Sequence, residues 1–139
     1  MRVDLGPEFD ALTERIIGAA FAVSNALGHG FLEIVYRNAL CEELSSNGLR
    51  VAKEKQFAVL YNGKEVGRYA ADIVVEDRVI VELKAVERLV QVHGAQVLNY
   101  LKAAGLGVGL LLNFGAPQVE IKRIINRSFF AGDFAQNGF

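Results

Sequence analysis

The sequence predicts a mixed α/β architecture, one α+β domain of 139 residues in the order helix, helix, three strands, helix, strand, strand. Three observations predict it. Apolar residues recur at helical spacing in three stretches, two runs rich in valine and aromatics flank an Asn-Gly pair, and one later run is almost continuously apolar.

The first helix covers residues 9–27, where Phe9, Leu12, Ile16, Ala19, Ala20, Val23 and Leu27 share one face. Gly28-His29-Gly30 stops it, because glycine accepts the left-handed backbone that closes a helix. A second helix follows over residues 31–47, with Leu32, Val35, Ala39, Leu40 and Leu44 inward and Asn47-Gly48 as its end signal. Strands at 49–60 and 64–75 are joined through Tyr61-Asn62-Gly63-Lys64, an Asn-Gly hairpin turn. A third strand at 79–84 returns after Glu76-Asp77-Arg78 and completes an antiparallel meander. A helix over residues 90–104 carries the stripe Val92, Ala95, Leu98 and Leu101 and ends at Gly105. Residues 108–113 form a strand buried on both faces, since they do not alternate. Residues 119–126 alternate Val119, Ile121, Arg123 and Ile125 with polar neighbours, as an edge strand does. The tail, residues 127–139, carries Phe129, Phe130, Phe134 and Phe139, too apolar for a solvated end; it folds back or meets a partner, for which a homodimer is one arrangement.

At 52% hydrophobic and 22% charged, the chain can bury a full core without help. A single cysteine, Cys41, excludes a disulfide framework and suits a reducing cytosol, and with only two histidines a zinc site has no support. No apolar run is long enough to span a membrane, and Asp4, Glu8, Asp10 and Glu14 oppose a signal peptide, so a cytoplasmic protein with no membrane partner is expected. Gly105-Leu106-Gly107-Val108-Gly109 leads into a strand, not a helix, and so cannot present amides to a phosphate. The net charge of −1 leaves any nucleic-acid contact to local cations.

Charge sits where strands seldom carry it. Glu82 and Lys84 share one face of the third strand, and an odd-length turn places Asp72 across from Glu82, with facing side chains about 5 Å apart. Two carboxylates at that range repel unless a cation lies between them, and Mg²⁺ or Mn²⁺ is the natural occupant. Spacing alone leaves this reading level with a Lys84 salt bridge on a solvated face. Gly30, Glu33 and Tyr36 stand three apart, in line on a helix; His93, Gln96 and Tyr100 form a second polar stripe. Taken singly, Tyr36 and Tyr100 read as core aromatics with satisfied hydroxyls, Glu33 as a first-turn acid favoured by the helix dipole, and Gln96 as an amide capping a sheet edge.

Together, Gly30-x-x-Glu33-x-x-Tyr36, Asp72 with Glu82-Leu83-Lys84, and Gln96-x-x-x-Tyr100 resemble the small GxxExxY proteins of bacteria and archaea, grouped with the PD-(D/E)XK nuclease superfamily. The resemblance spans residues 12–126 and departs where Ala71 replaces the eponymous proline and at Gly94, where relatives carry an acid. It implies a restriction-endonuclease-like core of helix, three-stranded meander, helix and strand, with an extra N-terminal helix and a C-terminal edge strand. It also implies roles: Asp72 and Glu82 as metal ligands with the Leu83 carbonyl, Lys84 as the catalytic lysine, Glu33 approaching the metal, Gln96 and Tyr100 bordering it, and Tyr36 and His93 in support. The expected activity is hydrolysis of DNA or RNA by a metal-activated water, with Lys84 stabilising the developing charge. The alternative is a catalytically silent module of the same fold that binds nucleic acid or protein.

Overall fold

The computed structural model describes residues 5–131. Helix α1 (Pro7–Leu27) and helix α2 (Glu33–Ser46) precede strands β1 (Val51–Tyr61), β2 (Lys64–Val75) and β3 (Val79–Lys84). Helix α3 (Gln91–Ala104), strands β4 (Val108–Asn113) and β5 (Glu120–Ile125), and the short helix α4 (Arg127–Phe130) follow. This is the mixed α/β order expected from the sequence. The five strands lie in chain order in one sheet, antiparallel except for the parallel pair β3 and β4, which α3 connects. Among the described residues, no helix is long and apolar enough to cross a membrane.

Helices cover both faces. Ile73, Val75, Val79, Val81, Leu83, Val108, Leu110 and Leu112 pack with Leu12, Ile16, Ala20, Tyr36, Leu40 and Leu44 of α1 and α2. Ile80 and Leu111, one position out of phase with their neighbours, pack with Val97 and Leu101 of α3. That two-sided burial explains why β3 and β4 are apolar without alternation.

Several boundaries and faces differ from expectation, each for a physical reason. Helix α1 starts at Pro7, a residue whose missing N–H costs nothing in a first turn. Helix α2 begins at Glu33 rather than residue 31, because Gly30 sits at φ 115° and Leu32 is extended. Leu32 consequently points to solvent, 76% exposed, and the inward face is Tyr36, Leu40, Cys41 and Leu44. Gly30 therefore does not line up with Glu33 and Tyr36 on a helix. In α3 the expected stripe is rotated: Val92 and Ala95 are exposed, and Val97 and Leu101 are buried. Gly94 continues that buried line toward Ile124, whose side chain would lie 3.4 Å from an added Cβ, so a glycine concealed the true stripe.

The hairpin follows its turn chemistry, with Asn62 at φ 52° and Gly63 at φ 75°. Of the tail, Phe129 and Phe130 fold back on Phe9 with edge-on rings, over a backbone at Gly107 where any Cβ would collide with Phe129. Phe134 and Phe139 lie outside the described residues. Gly109 has a comparable role beneath α3: an added Cβ would sit 2.7 Å from Val97 Cγ1 and 3.4 Å from Leu101 Cδ1. G109A should therefore lift α3 from the sheet and cost about 1–3 kcal/mol, seen as a lower urea midpoint with an unchanged m-value.

Candidate active site

Continuing the β2–β3 register of Ile73↔Val81 and Val74↔Ile80 by one rung sets Asp72 opposite Glu82, as the three-residue turn requires. Backbone pairing stops there. The Asp72 N–H donates to Glu82 Oε2 at 2.7 Å, and the Leu83 N–H donates to Asp72 Oδ2 at 2.8 Å. Each carboxylate takes the place of a ladder partner, and each has a second oxygen, Oδ1 or Oε1, that the exchange does not use.

The other side of Asp72 is disturbed as well. The β1–β2 register runs through Lys53↔Ile73 and Lys55↔Ala71, so Glu54 falls opposite Asp72, and Glu54 is left-handed at φ 53°. The strand exchanges faces at this level. Ile73 and Val75 pack toward α1 and α2, whereas Ala71 and Tyr69 pack with the α3 cluster, although residues two apart normally share a side. The outer hairpin thereby wraps toward α3, where Phe57, Tyr69 and Tyr100 stack in series, with centroids 5.4 Å and 3.9 Å apart. The Tyr69 hydroxyl donates to the Tyr100 carbonyl and joins hairpin to helix.

Lys84 shares the α3 side of β3 with Glu82, and its Nζ makes a long 3.5 Å hydrogen bond to Gln96 Oε1. Opposite Lys84 in the parallel ladder stands Asn113, fully buried. Its side chain accepts from the Val86 and Gly115 N–H groups and donates to the Val86 carbonyl and Glu120 Oε1, at 2.7–3.0 Å. Glu120 also accepts from the Leu89 N–H. The loop that carries the chain from Lys84 to α3 is therefore tied to the end of β4, and each of these buried groups would cost about 1–3 kcal/mol if left unpaired.

The remaining residues separate. Glu33 stands at the first turn of α2, close enough to Asp72 and Lys84 to feel both charges. Tyr36 is fully buried, stacked on Phe114 at 4.8 Å, with its hydroxyl donating to the Gly28 carbonyl and accepting from the Phe31 N–H. It cannot touch substrate; it pins the α1–α2 connection that presents Glu33. His93 accepts the Val90 N–H at Nδ1 and so caps α3. Sequence reasoning missed Asn113, Tyr69 and the Arg37–Glu54 ion pair of 3.1 Å beside Glu33. Asn113 had a signal, one amide closing an apolar strand; the ion pair had none, its partners being distant in sequence.

Burial dominates the electrostatics. It pushes the Glu82 carboxyl up to about 8, with Asp72 adding repulsion. Burial likewise raises Asp72 against the opposing pull of the Leu83 amide, and raises Glu33 with repulsion from Asp72. Among the described residues no three His, Cys, Asp or Glu side chains come together in a group that could hold a metal ion. A buried and a half-buried carboxylate with unused oxygens nonetheless fit a magnesium-type ion, which binds through one or two carboxylates and keeps waters and substrate phosphates.

Two helical layers over a mixed sheet, with an acid pair and a lysine where adjacent strands part, define a nuclease-like α/β protein. The chain belongs to the PD-(D/E)XK nuclease superfamily, whose family model matches residues 10–124. That membership points to a nuclease and hence to an enzyme acting on nucleic acid, and nucleases of this superfamily generally use divalent metals. No curated protein matches the chain. Among solved structures, a crystal structure of SSO0001 is similar at a TM-score of 0.53 and 15% identity, covering 93% of this chain and 68% of that one, a likeness of fold.

The raised carboxyls set the pH dependence of the metal-stripped protein. An unfolded glutamate ionises near 4.5, whereas Glu82 in the folded chain holds its proton to about 8. Between those values the folded state binds more protons than the unfolded state, so stability falls as pH rises and levels off above about 8. Melting in EDTA should show that decline. E82Q, whose amide oxygen can still accept the Asp72 N–H, should flatten it.

Proposed function

We propose that this is a GxxExxY-type member of the superfamily, formed as one domain over residues 1–139, that hydrolyses DNA or RNA with Mg²⁺ or Mn²⁺ in the cytoplasm. The observation that supports the reading is the exchange of hydrogen bonds at Asp72 and Glu82, which sets a half-buried and a buried carboxylate side by side while each retains an uncommitted oxygen. In an extended residue the N–H and C=O point to the same side, so the Leu83 carbonyl faces that place too. Asp72, Glu82 and the Leu83 carbonyl are the proposed ligands, and Glu33, which feels the charges of Asp72 and Lys84, is the proposed acceptor of a proton from water. When bound, the ion supplies the acidity that makes water nucleophilic at neutral pH and polarises the phosphoryl group.

The chain's own residues do the rest. Lys84 lies on the same strand face as Glu82 and holds a fixed positive charge where the phosphoryl oxygens become more negative. Gln96 borders the ammonium and accepts a long hydrogen bond from it. Tyr100, raised by burial and by the nearby Glu82, stays a neutral phenol and walls the site toward the hairpin. His93 supports the helix that carries both. Lys53, Lys55, Lys64, Arg68, Lys102, Lys122, Arg123 and Arg127 are the candidate backbone contacts, some of them already paired with acids.

The test is incubation of the purified protein with Mg²⁺ or Mn²⁺ and labelled single- and double-stranded DNA and RNA. Wild type should cleave at least one of these and EDTA should stop it. D72A and K84A should each lower the rate by about a hundredfold or more. Equal cleavage by all three proteins would assign the activity to a contaminant. Binding without cleavage would make the chain a silent nucleic-acid module.

A further inference from the structure

Three features that the catalytic reading does not use meet at one place. The first is the left-handed Glu54, held at φ 53° in the middle of a strand; a non-glycine residue there stores about 1 kcal/mol or more and is a common way for a strand to re-aim a side chain. The second is where that side chain goes: Glu54 Oε1 takes Arg37 Nη1 at 3.1 Å, and the arginine is mostly buried, with its side chain 18% exposed. The third is that Arg37 Nε is buried with no hydrogen-bond partner among the described residues. An unpaired buried donor of a charged group is costly, so native proteins seldom keep one without use.

These groups border a cleft lined by Glu33, Ile34, Arg37 and Glu54. The cleft adjoins the proposed catalytic site: Glu33 belongs to both, and Arg37 is near enough to draw the Asp72 and Glu33 carboxyls downward. Glu54 holds the guanidinium at one nitrogen only. Its other edge, Nη2 with Nε, is the two-donor fork that matches two oxygens of a phosphate. A phosphate taken up in the cleft would give Nε the acceptor it lacks.

We propose that Arg37 is a substrate-binding residue that grips a phosphodiester of the nucleic-acid strand next to the one being cleaved, with Glu54 as the positioning residue that holds its guanidinium. The placement sets this phosphate apart from the scissile one. Lys84 and Arg37 approach the acid pair from different elements, β3 and α2, so Arg37 meets a phosphate other than the one Lys84 faces. Such a contact is equal in ground and transition states and appears in KM rather than kcat.

The inference rests on the nucleic-acid part of the proposed function, and the experiment separates the two. Binding of labelled single- and double-stranded oligonucleotides is followed by anisotropy in EDTA over a range of salt, for wild type, R37A, R37K and E54Q. R37K keeps the charge facing Glu54 but removes the planar fork. R37A should weaken binding about tenfold and reduce the slope of log affinity against log salt by about 0.7–0.9; R37K should keep most of that slope and still lose affinity. In Mg²⁺, KM should rise about tenfold in both, with kcat within about threefold of wild type. E54Q should show a smaller KM effect in the same direction.

Wild-type affinity and slope in R37K, with an unchanged melting curve, would overturn the proposal even if R37A fails to fold. So would a fall in kcat with KM unchanged, which is the mark of an interaction made only in the transition state rather than of a binding contact. Stabilisation of wild type but not R37K by inorganic phosphate, with no change in oligonucleotide binding, would assign Arg37 to a free phosphate and also overturn it. An Arg37-dependent salt slope in a protein that cleaves nothing would support this site while removing the nuclease.

Discussion

The site depends on one rung of the sheet, the one at Asp72, which neither neighbouring strand pairs in the ordinary way. A continuous ladder would consume the Asp72 and Leu83 amides and leave the two acids as side chains on a covered face, where ionised oxygens have no favourable partner. The exchange of amides for carboxylates reverses this. It satisfies one oxygen of each acid and parts the strands. Burial remains unfavourable to the charged form, which is why Glu82 is displaced so far from the ordinary carboxylate range. A cation between the two acids would lower that penalty.

Everything around the rung serves to keep it fixed while its neighbours move apart. On one side the hairpin changes faces and clamps to α3 through the Phe57, Tyr69 and Tyr100 stack. On the other, Asn113 fastens the loop beyond Lys84 to the end of β4. Glycines at 107 and 109 allow the covering elements to approach the sheet more closely than any Cβ would permit. Lys84 and Gln96 therefore meet from two elements whose separation is set by packing, not by their own weak contact. Precision at the site is a property of the layers.

Much of this was legible in the chain because certain local rules have few exceptions. Asn62-Gly63 selects a hairpin turn, and the odd connection Glu76-Asp77-Arg78 sets the register that brings Asp72 opposite Glu82. The register could be read, but not the exchange of amides, since that depends on where the ladder yields. The stripe of α3 was misplaced because Gly94 occupies a packed position while contributing nothing to a hydrophobic pattern. Tyr36, taken singly, reads as a core aromatic with a satisfied hydroxyl and is one; only its alignment with Gly30 on a helix fails, because the helix begins at Glu33. The left-handed turn at Glu54 had no signal, since glutamate has no preference for that conformation; only the finished sheet demands it.

Net charge, finally, says less about this chain than the placement of its cations. With 15 basic against 16 acidic residues, long-range attraction to a polyanion is absent, and the substrate must be held by short-range contacts. Many of the basic groups already face acids on the surface: Lys55 meets Asp77, Arg68 meets Glu65, and Arg123 meets Asp10. Such exposed pairs contribute little stability and can open for a phosphate at small cost. Arg37 differs in being mostly buried and bound at a single nitrogen, with a second donor left unpaired. A mostly buried cation does not act at a distance but holds geometry once a strand has arrived, so a nucleic acid should be bound weakly overall and yet held closely at this cleft.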